Sequence, residues 1–183
     1  MNSITYKTAC SSSLVALHQA CQAIYSGDCS AAIVGGSSII FSPTMSVTMS
    51  DNLVLAPDGR CKTFDASADG YGRGEGINAI FIKPLDAAIQ DSDPIRAIIR
   101  STATNSDGKT PNISTPDRES QETLIRKAYS RAGISDPCQT ALFECHGTGT
   151  TIGDVTETQA VTSIFGEKGI FIGAVRSLYI SLR

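Results

Sequence analysis

Two short runs in this chain join residue types able to work on a carbonyl carbon. In Thr8-Ala9-Cys10-Ser11-Ser12-Ser13-Leu14 a cysteine stands where a strand is expected to pass into a helix. A helix N-terminus carries partial positive charge and unpaired N–H groups. Both favour thiolate over thiol, so Cys10 is a candidate nucleophile, and the same N–H groups can hold an oxyanion when a thioester is attacked. Spacing alone leaves a second reading open, in which Cys10 packs and Ser11 to Ser13 cap the helix. The other run is Glu144-Cys145-His146-Gly147-Thr148-Gly149-Thr150. His146 leaves an apolar stretch and enters a Gly/Thr loop, where glycines let backbone approach a ligand closely. Gly153, Asp154 and Glu157 then open a helix whose dipole suits acidic residues. The chain's second histidine, His18, falls mid-helix with no motif around it and reads as a satisfied or surface residue.

The elements that must position these runs alternate. Ser3 to Thr8 reads as a short strand. Ser11 to Ser26 follows as a helix, with Leu14, Leu17, Cys21 and Ile24 at helical spacing and Gly27 to stop it. Ala31 to Val34 is a buried strand ending at Gly35-Gly36. Ile77 to Ile82 and Ile95 to Ser101 read as further strands, with a helical segment after Pro84. Thr115 and Pro116 predict the start of a helix that Gly133 ends, with Leu124, Ile125, Ala128, Tyr129 and Ala132 on its apolar face. Thr140 to Cys145 is a strand, Asp154 to Phe165 a helix and Ile170 to Val175 the last strand. This alternation predicts a layered α/β architecture.

Composition narrows the function classes. With 15 basic and 18 acidic residues and a net charge of −3, there is no basic stripe for nucleic acid. No apolar run reaches membrane-spanning length, and Met1 to Lys7 is too short and polar for a secretory signal, which predicts a cytoplasmic protein with reduced thiols. The six cysteines include no C-x-x-C pair, so no zinc site is expected. The glycine run Gly70-Tyr71-Gly72-Arg73-Gly74-Glu75-Gly76 lacks the G-x-G-x-x-G order of a dinucleotide site, and no P-loop lysine follows it. Taken bare, it is a tight turn before a strand.

The two chemical runs resemble motifs of β-ketoacyl synthases of the polyketide-synthase kind, similar to fungal iterative type I enzymes. Thr8 to Leu14 resembles the nucleophile motif, with Lys7 where an aspartate is usual. Glu144 to Glu157 resembles the histidine motif, with Cys145 at a position usually held by a small residue such as alanine. The segments Asp58 to Asp65, Gly70 to Gly76, Asn105 to Thr110 and Asp117 to Gly133 are similar as well. The resemblance spans about Ser3 to Ser177 and implies one ketosynthase domain over residues 1–177 with a non-matching tail, 178–183. It implies a thiolase-like layered αβαβα fold, incomplete here, and acyl transfer to Cys10 followed by decarboxylative condensation with malonyl-carrier protein. His146 is then expected to polarise the malonyl thioester carbonyl; a neutral imidazole N–H can stabilise the enolate oxygen. Thr148 and Thr150 are expected to contact the phosphopantetheine arm, with Asp154, Glu157 and Arg176 in support. No metal or redox cofactor is expected. The implied partners are an acyl carrier protein bearing acyl and malonyl thioesters, and a second copy of the parent domain paired through the strand before Cys10.

The pattern breaks near the C-terminus. Arg176 takes the position of a usual lysine and Ser177 matches, but the position of a second catalytic histidine falls on Ser181. The parts of a ketosynthase that normally precede the nucleophile strand and follow that histidine are also missing, as in a truncated reading frame. The competing reading is therefore a non-catalytic fragment or pseudoenzyme. A thiolase or cysteine hydrolase is a third reading, but a thiolase wants a second catalytic cysteine near its C-terminus and none follows Cys145.

Overall fold

A computed structural model of the chain describes residues 3–111 and 115–175. In chain order its elements are α1 (Ser12–Tyr25), β1 (Ala32–Ser38), α2 (Pro43–Asp51), β2 (Gly76–Ile82), α3 (Leu85–Gln90), α4 (Arg118–Arg131), β3 (Leu142–Glu144), α5 (Thr151–Phe165) and β4 (Phe171–Gly173). They fall into two compact units. The first holds the described residues through Ile39 together with Glu75–Thr104, and the second holds Ile40–Gly74 with the described residues from Asn105 onward.

In the first unit β1 and β2 pair antiparallel, with Ala32 opposite Ile82 and Ser38 opposite Gly76. β1 runs on through Gly35-Gly36 rather than stopping there, and α1 lies against it. Gly36 makes this packing possible, since a Cβ at that position would meet Ser13 Cβ at 3.3 Å. The small residue thus lets the first turn of α1 come down onto the strand. Within α1 the expected apolar stripe is only partly covered: Leu14 is 68% exposed. His18 is buried, and its Nδ1 lies 2.7 Å from Thr102 Oγ1, so it is a satisfied histidine within this unit. Lys83, just before α3, pairs with Asp91 and Asp93 just after it and ties the two ends of that helix together.

The second unit is built on α5. Val161 and Phe165 of that helix and Cys145 form its buried centre, with Phe64, Ile125, Tyr129, Phe143, Ile164 and Ile170 packed around them. Tyr129 and Phe143 both meet the Phe165 ring edge-on, at centroid separations of 6.2 and 5.8 Å. β3 and β4 pair in parallel, Leu142 opposite Phe171 and Glu144 opposite Gly173.

Several expectations need correction. Neither Ser3–Thr8 nor Ile95–Ser101 joins a ladder among the described residues, where β1 pairs with β2 and β3 with β4. Apolar pattern gives a segment the propensity to be a strand, but an adjacent partner makes it one. The cap of α4 is Asp117, whose side chain accepts from the Ser120 N–H at 2.7 Å, and not Thr115. α5 begins at Thr151, three residues earlier than expected. The strands expected at 140–145 and 170–175 shorten to β3 and β4. Helix α2 escaped the sequence reading because its Thr, Ser, Val and Asp residues are weak helix formers, leaving only Met45 and Met49 in favour. Its signal was present all the same: Pro43 at the first turn and Ser42 before it, whose Oγ accepts from Thr44 N at 3.2 Å.

Candidate active site

Cys10 sits in the middle of a single 3-10 turn, Ala9–Ser11, that runs directly into α1. Its neighbour Ala9 has φ +56°, a conformation that L-residues with a Cβ rarely adopt. Hydroxyls stitch this turn together. The Thr8 N–H donates to Ser12 Oγ at 2.9 Å, the Ser12 hydroxyl donates to Ala9 O at 2.7 Å, and the Ser11 hydroxyl donates to Thr8 O at 2.9 Å. These serines therefore reach backward to hold the bend. Ser11, at the N-cap position, makes no side-chain cap hydrogen bond to the helix. The result is an exposed thiol on a sharp turn at a helix N-terminus.

The histidine loop is fixed through its backbone. The side chain of Glu157, one turn into α5 from Gly153, accepts the His146 N–H at 2.6 Å on Oε1 and the Gly147 N–H at 2.9 Å on Oε2. Asp154, only 6% exposed, accepts the Gly149 N–H at 2.9 Å on Oδ1 and the Phe64 N–H at 2.6 Å on Oδ2. Both carboxylates thus act on main-chain donors through charge-assisted bonds, Asp154 buried and Glu157 half-buried. That is a more specific duty than favouring the helix dipole. Gly147 and Gly149 have φ of +53° and +70°, and a Cβ on Gly147 would lie 2.3 Å from Ala174 Cβ and 2.7 Å from Thr63 Cγ2. His146 itself is exposed at the mouth of this loop.

Thr148 and Thr150 are half-buried, with their hydroxyls 2.9 Å apart. Gly153 leaves them room, since a Cβ there would come within 2.4 Å of Thr150 Oγ1 and 2.9 Å of Thr148 Oγ1. Cys145, by contrast, is no nucleophile. Burial, and after it the carboxylates of Glu157, Glu144 and Asp154, push its thiol up to about 12. Glu144 ends β3 by accepting the Val175 N–H at 2.6 Å, next to the backbone bond from Cys145 N to Gly173 O. Arg176, expected to support the site, and the tail 178–183 lie outside the described residues.

Sequence reasoning missed a strap that presses on the histidine loop, formed by Lys62 to Gly70. The Thr63 hydroxyl donates to Gly147 O at 2.7 Å, the Gly70 N–H to Gly149 O at 2.9 Å, and the Thr151 hydroxyl to Ala68 O at 3.3 Å. Lys62 bridges Asp58 at 3.2 Å and Asp69 at 2.6 Å, tying the strap to itself. Gly70, read bare as part of a tight turn, has φ +134° and lies so close to Leu55 and Ala56 that a Cβ would meet their backbone at 2.6 Å. The signal in the sequence was the pairing of a T-F-D run with a Gly-rich run, but nothing local says that these residues face a loop some 84 residues away.

Among the described residues, no group of three or more His, Cys, Asp or Glu side chains is arranged to hold a metal ion, and no helix is long and apolar enough to cross a membrane.

The match to known proteins fits this pair of sites. Residues 2–88 match the N-terminal domain of β-ketoacyl synthase and residues 96–179 match its C-terminal domain. The chain is 58% identical over 174 residues to the highly reducing polyketide synthase g433 of a Fusarium species, and 59% identical over 174 residues to the highly reducing polyketide synthase VdtX of Byssochlamys spectabilis. Those alignments cover 95% of this chain but only 7% and 8% of the relatives. Its structure superposes on the oxazolomycin ketosynthase domain OzmH KS7 of Streptomyces albus with a TM-score of 0.91 at 39% identity, covering 96% of this chain and 32% of that one. The ketosynthase from module 6 of the bacillaene synthase of Bacillus subtilis gives 0.90 at 41% identity, covering 94% and 31%. The fold is therefore part of the thiolase-like αβαβα arrangement of ketosynthase domains, incomplete in this chain, which covers 32% and 31% of those two structures. The chain belongs to the β-ketoacyl synthase family and carries ketosynthase sequence of the polyketide-synthase kind, which makes its lineage that of condensing, acyl-transferring enzymes.

Proposed function

We propose that this chain provides the nucleophile and one histidine of a decarboxylative condensation. Cys10 Sγ attacks an acyl thioester delivered on the phosphopantetheine of an acyl carrier protein; the carrier thiol leaves and the acyl group remains on Cys10. Malonyl-carrier protein then loses carbon dioxide, and the electron pair of the broken C–C bond becomes an enolate. The His146 N–H stabilises the enolate oxygen. The enolate carbon attacks the Cys10 thioester, a C–C bond forms, the Cys10 thiolate departs, and a β-ketoacyl thioester stays on the carrier. Every bond is made by these groups, so no metal or redox cofactor enters. Thr148 and Thr150 contact the phosphopantetheine arm in this reading, Asp154 and Glu157 hold the loop, and Arg176 is assigned a supporting role from the sequence alone. The reaction takes place in the cytoplasm, in a parent protein that pairs as a homodimer.

The observation that carries this reading is the presence in one chain of a thiol on a stitched turn before α1 and a histidine on a carboxylate-clamped loop, in the order in which the two family domains match. Ser181 at the second histidine position favours a subsidiary reading, in which capture of the acyl group survives and condensation does not.

The test is to incubate the purified chain with an acyl-pantetheine thioester and malonyl-carrier protein and to follow both by mass spectrometry. Slow acylation of Cys10, absent from Cys10→Ala, is the expected outcome; slow β-ketoacyl product alongside it supports the condensation, and acylation without product supports the subsidiary reading. A chain that never acylates at Cys10 removes the nucleophile assignment. Product formed at a rate of about 1 s⁻¹ or more, the low end of ordinary enzymes, removes the importance given to Ser181.

A further inference from the structure

We infer that Thr63 is a positioning residue for His146, acting through the Gly147–Thr148 peptide. This rests on the reading of His146 as the enolate-stabilising group. Three hydrogen bonds fix the main chain around His146. Glu157 orients the peptide N–H groups of His146 and Gly147, and the Thr63 hydroxyl takes the Gly147 carbonyl at 2.7 Å. Glu157 lies on the helix that follows the loop, whereas Thr63 comes from 84 residues earlier.

Thr63 does two things at once. Its hydroxyl satisfies the carbonyl of Gly147, which is buried, and its methyl fills the space where Gly147 has no side chain, opposite Ala174. The next residue along the strap, Phe64, gives its N–H to Asp154, which also holds Gly149. Strap and loop are therefore laced at consecutive points. A Gly-x-Gly loop with two positive-φ residues has many accessible conformations, and the lacing selects one. The Thr63 hydroxyl donates to main chain in this arrangement, so its role lies in where His146 is carried.

The experiment uses the full chain labelled with ¹³C and ¹⁵N. Only two histidines exist, so the ring signals of His146 and His18 are readily separated. Thr63→Val keeps shape and removes the donor; Thr63→Ser keeps the donor. In the Val variant we expect the His146 ring cross-peaks to move by more than a line width while the Val161 methyl signals of the core stay in place. Malonyl-pantetheine decarboxylation should lose about tenfold or more in kcat with KM nearly unchanged, and Ser should restore both readouts. Unmoved His146 signals in Thr63→Val overturn the inference, whether or not the chain decarboxylates. If the Val161 signals move as well, Thr63→Ser decides. Parent-like His146 signals sustain the inference, and displaced ones over an unmoved core overturn it. His146→Ala separates the two levels of argument: decarboxylation unchanged by that substitution removes the catalytic reading of His146, and the ring signals still judge Thr63.

Discussion

The carboxylate of Glu157 holds the main chain of His146, accepting its N–H at 2.6 Å and that of Gly147 at 2.9 Å. A carboxylate can accept on both oxygens at once; an amide cannot. Glu157→Gln therefore puts an NH₂ against one of the two N–H donors. We expect a loss of about 1–3 kcal/mol, the usual cost of an unsatisfied polar group. Thermal melting by circular dichroism should report it as a drop of roughly 2–4 °C per kcal/mol. A Gln variant that melts with the parent contradicts the bidentate role.

Asp154 is the more demanding case, being buried and bridging Gly149 to Phe64. Asp154→Ala strands both N–H groups and opens a gap between strap and loop. A loss at the upper end of the same range, about 3 kcal/mol or more, is the expected result. Amide hydrogen exchange should also speed up at Phe64 and Gly149 together. Independent changes at the two amides would show that the carboxylate does not couple them.

Gly147 tests the same loop sterically. Gly147→Ala combines a positive φ with overlaps at Ala174 and Thr63. The conformational cost alone is about 1–2 kcal/mol, and overpacking adds about 1–3 kcal/mol. Denaturant titration should place this variant below Gly27→Ala, where φ is positive but nothing lies within 4 Å. Equal losses at the two sites would mean that only backbone conformation matters.

The thiols offer a pH prediction. Cys145 is raised to about 12, chiefly by burial and then by Glu157, Glu144 and Asp154, against about 8.5 in an unfolded chain. A raised folded value means that the folded state keeps its proton longer. The stability linked to it is fully present below about pH 8.5 and falls as pH rises toward 12. Cys145→Ala should flatten that alkaline decline in a plot of denaturation midpoint against pH. In iodoacetamide labelling near neutral pH, Cys10, exposed on its turn, should react long before Cys145. The reverse order would contradict both assignments.

The candidate residues could be picked out in sequence where each rests on residue type in a short run. Cys10 before a helix and His146 in a Gly/Thr loop stand out because each motif is local. The elements beside them were legible in kind, since α1, α4, α5 and the strands near 32, 76, 142 and 171 follow periodicity. What stayed hidden depends on distance along the chain. The strap at Thr63 and Phe64 meets the loop across 84 and 90 residues. No periodicity encodes such a meeting. The roles of Asp154 and Glu157 were half visible: their place at the start of α5 was clear, but the backbone donors they hold are revealed only by the fold of the loop. The strands expected at Ser3–Thr8 and Ile95–Ser101 lack a ladder because pairing is a property of two segments. Asp117 displaced Thr115 as the α4 cap because the chain takes its helical turn two residues later.

The backbone clamp on the histidine loop also makes it a socket. Glu157, Asp154 and Thr63 grip amide and carbonyl groups that every residue except proline supplies, so the loop's shape is indifferent to the side chain at position 146. His146 can be exchanged for alanine, asparagine or glutamine while its mount stays in place. A series at this position isolates the contribution of the ring from that of the scaffold.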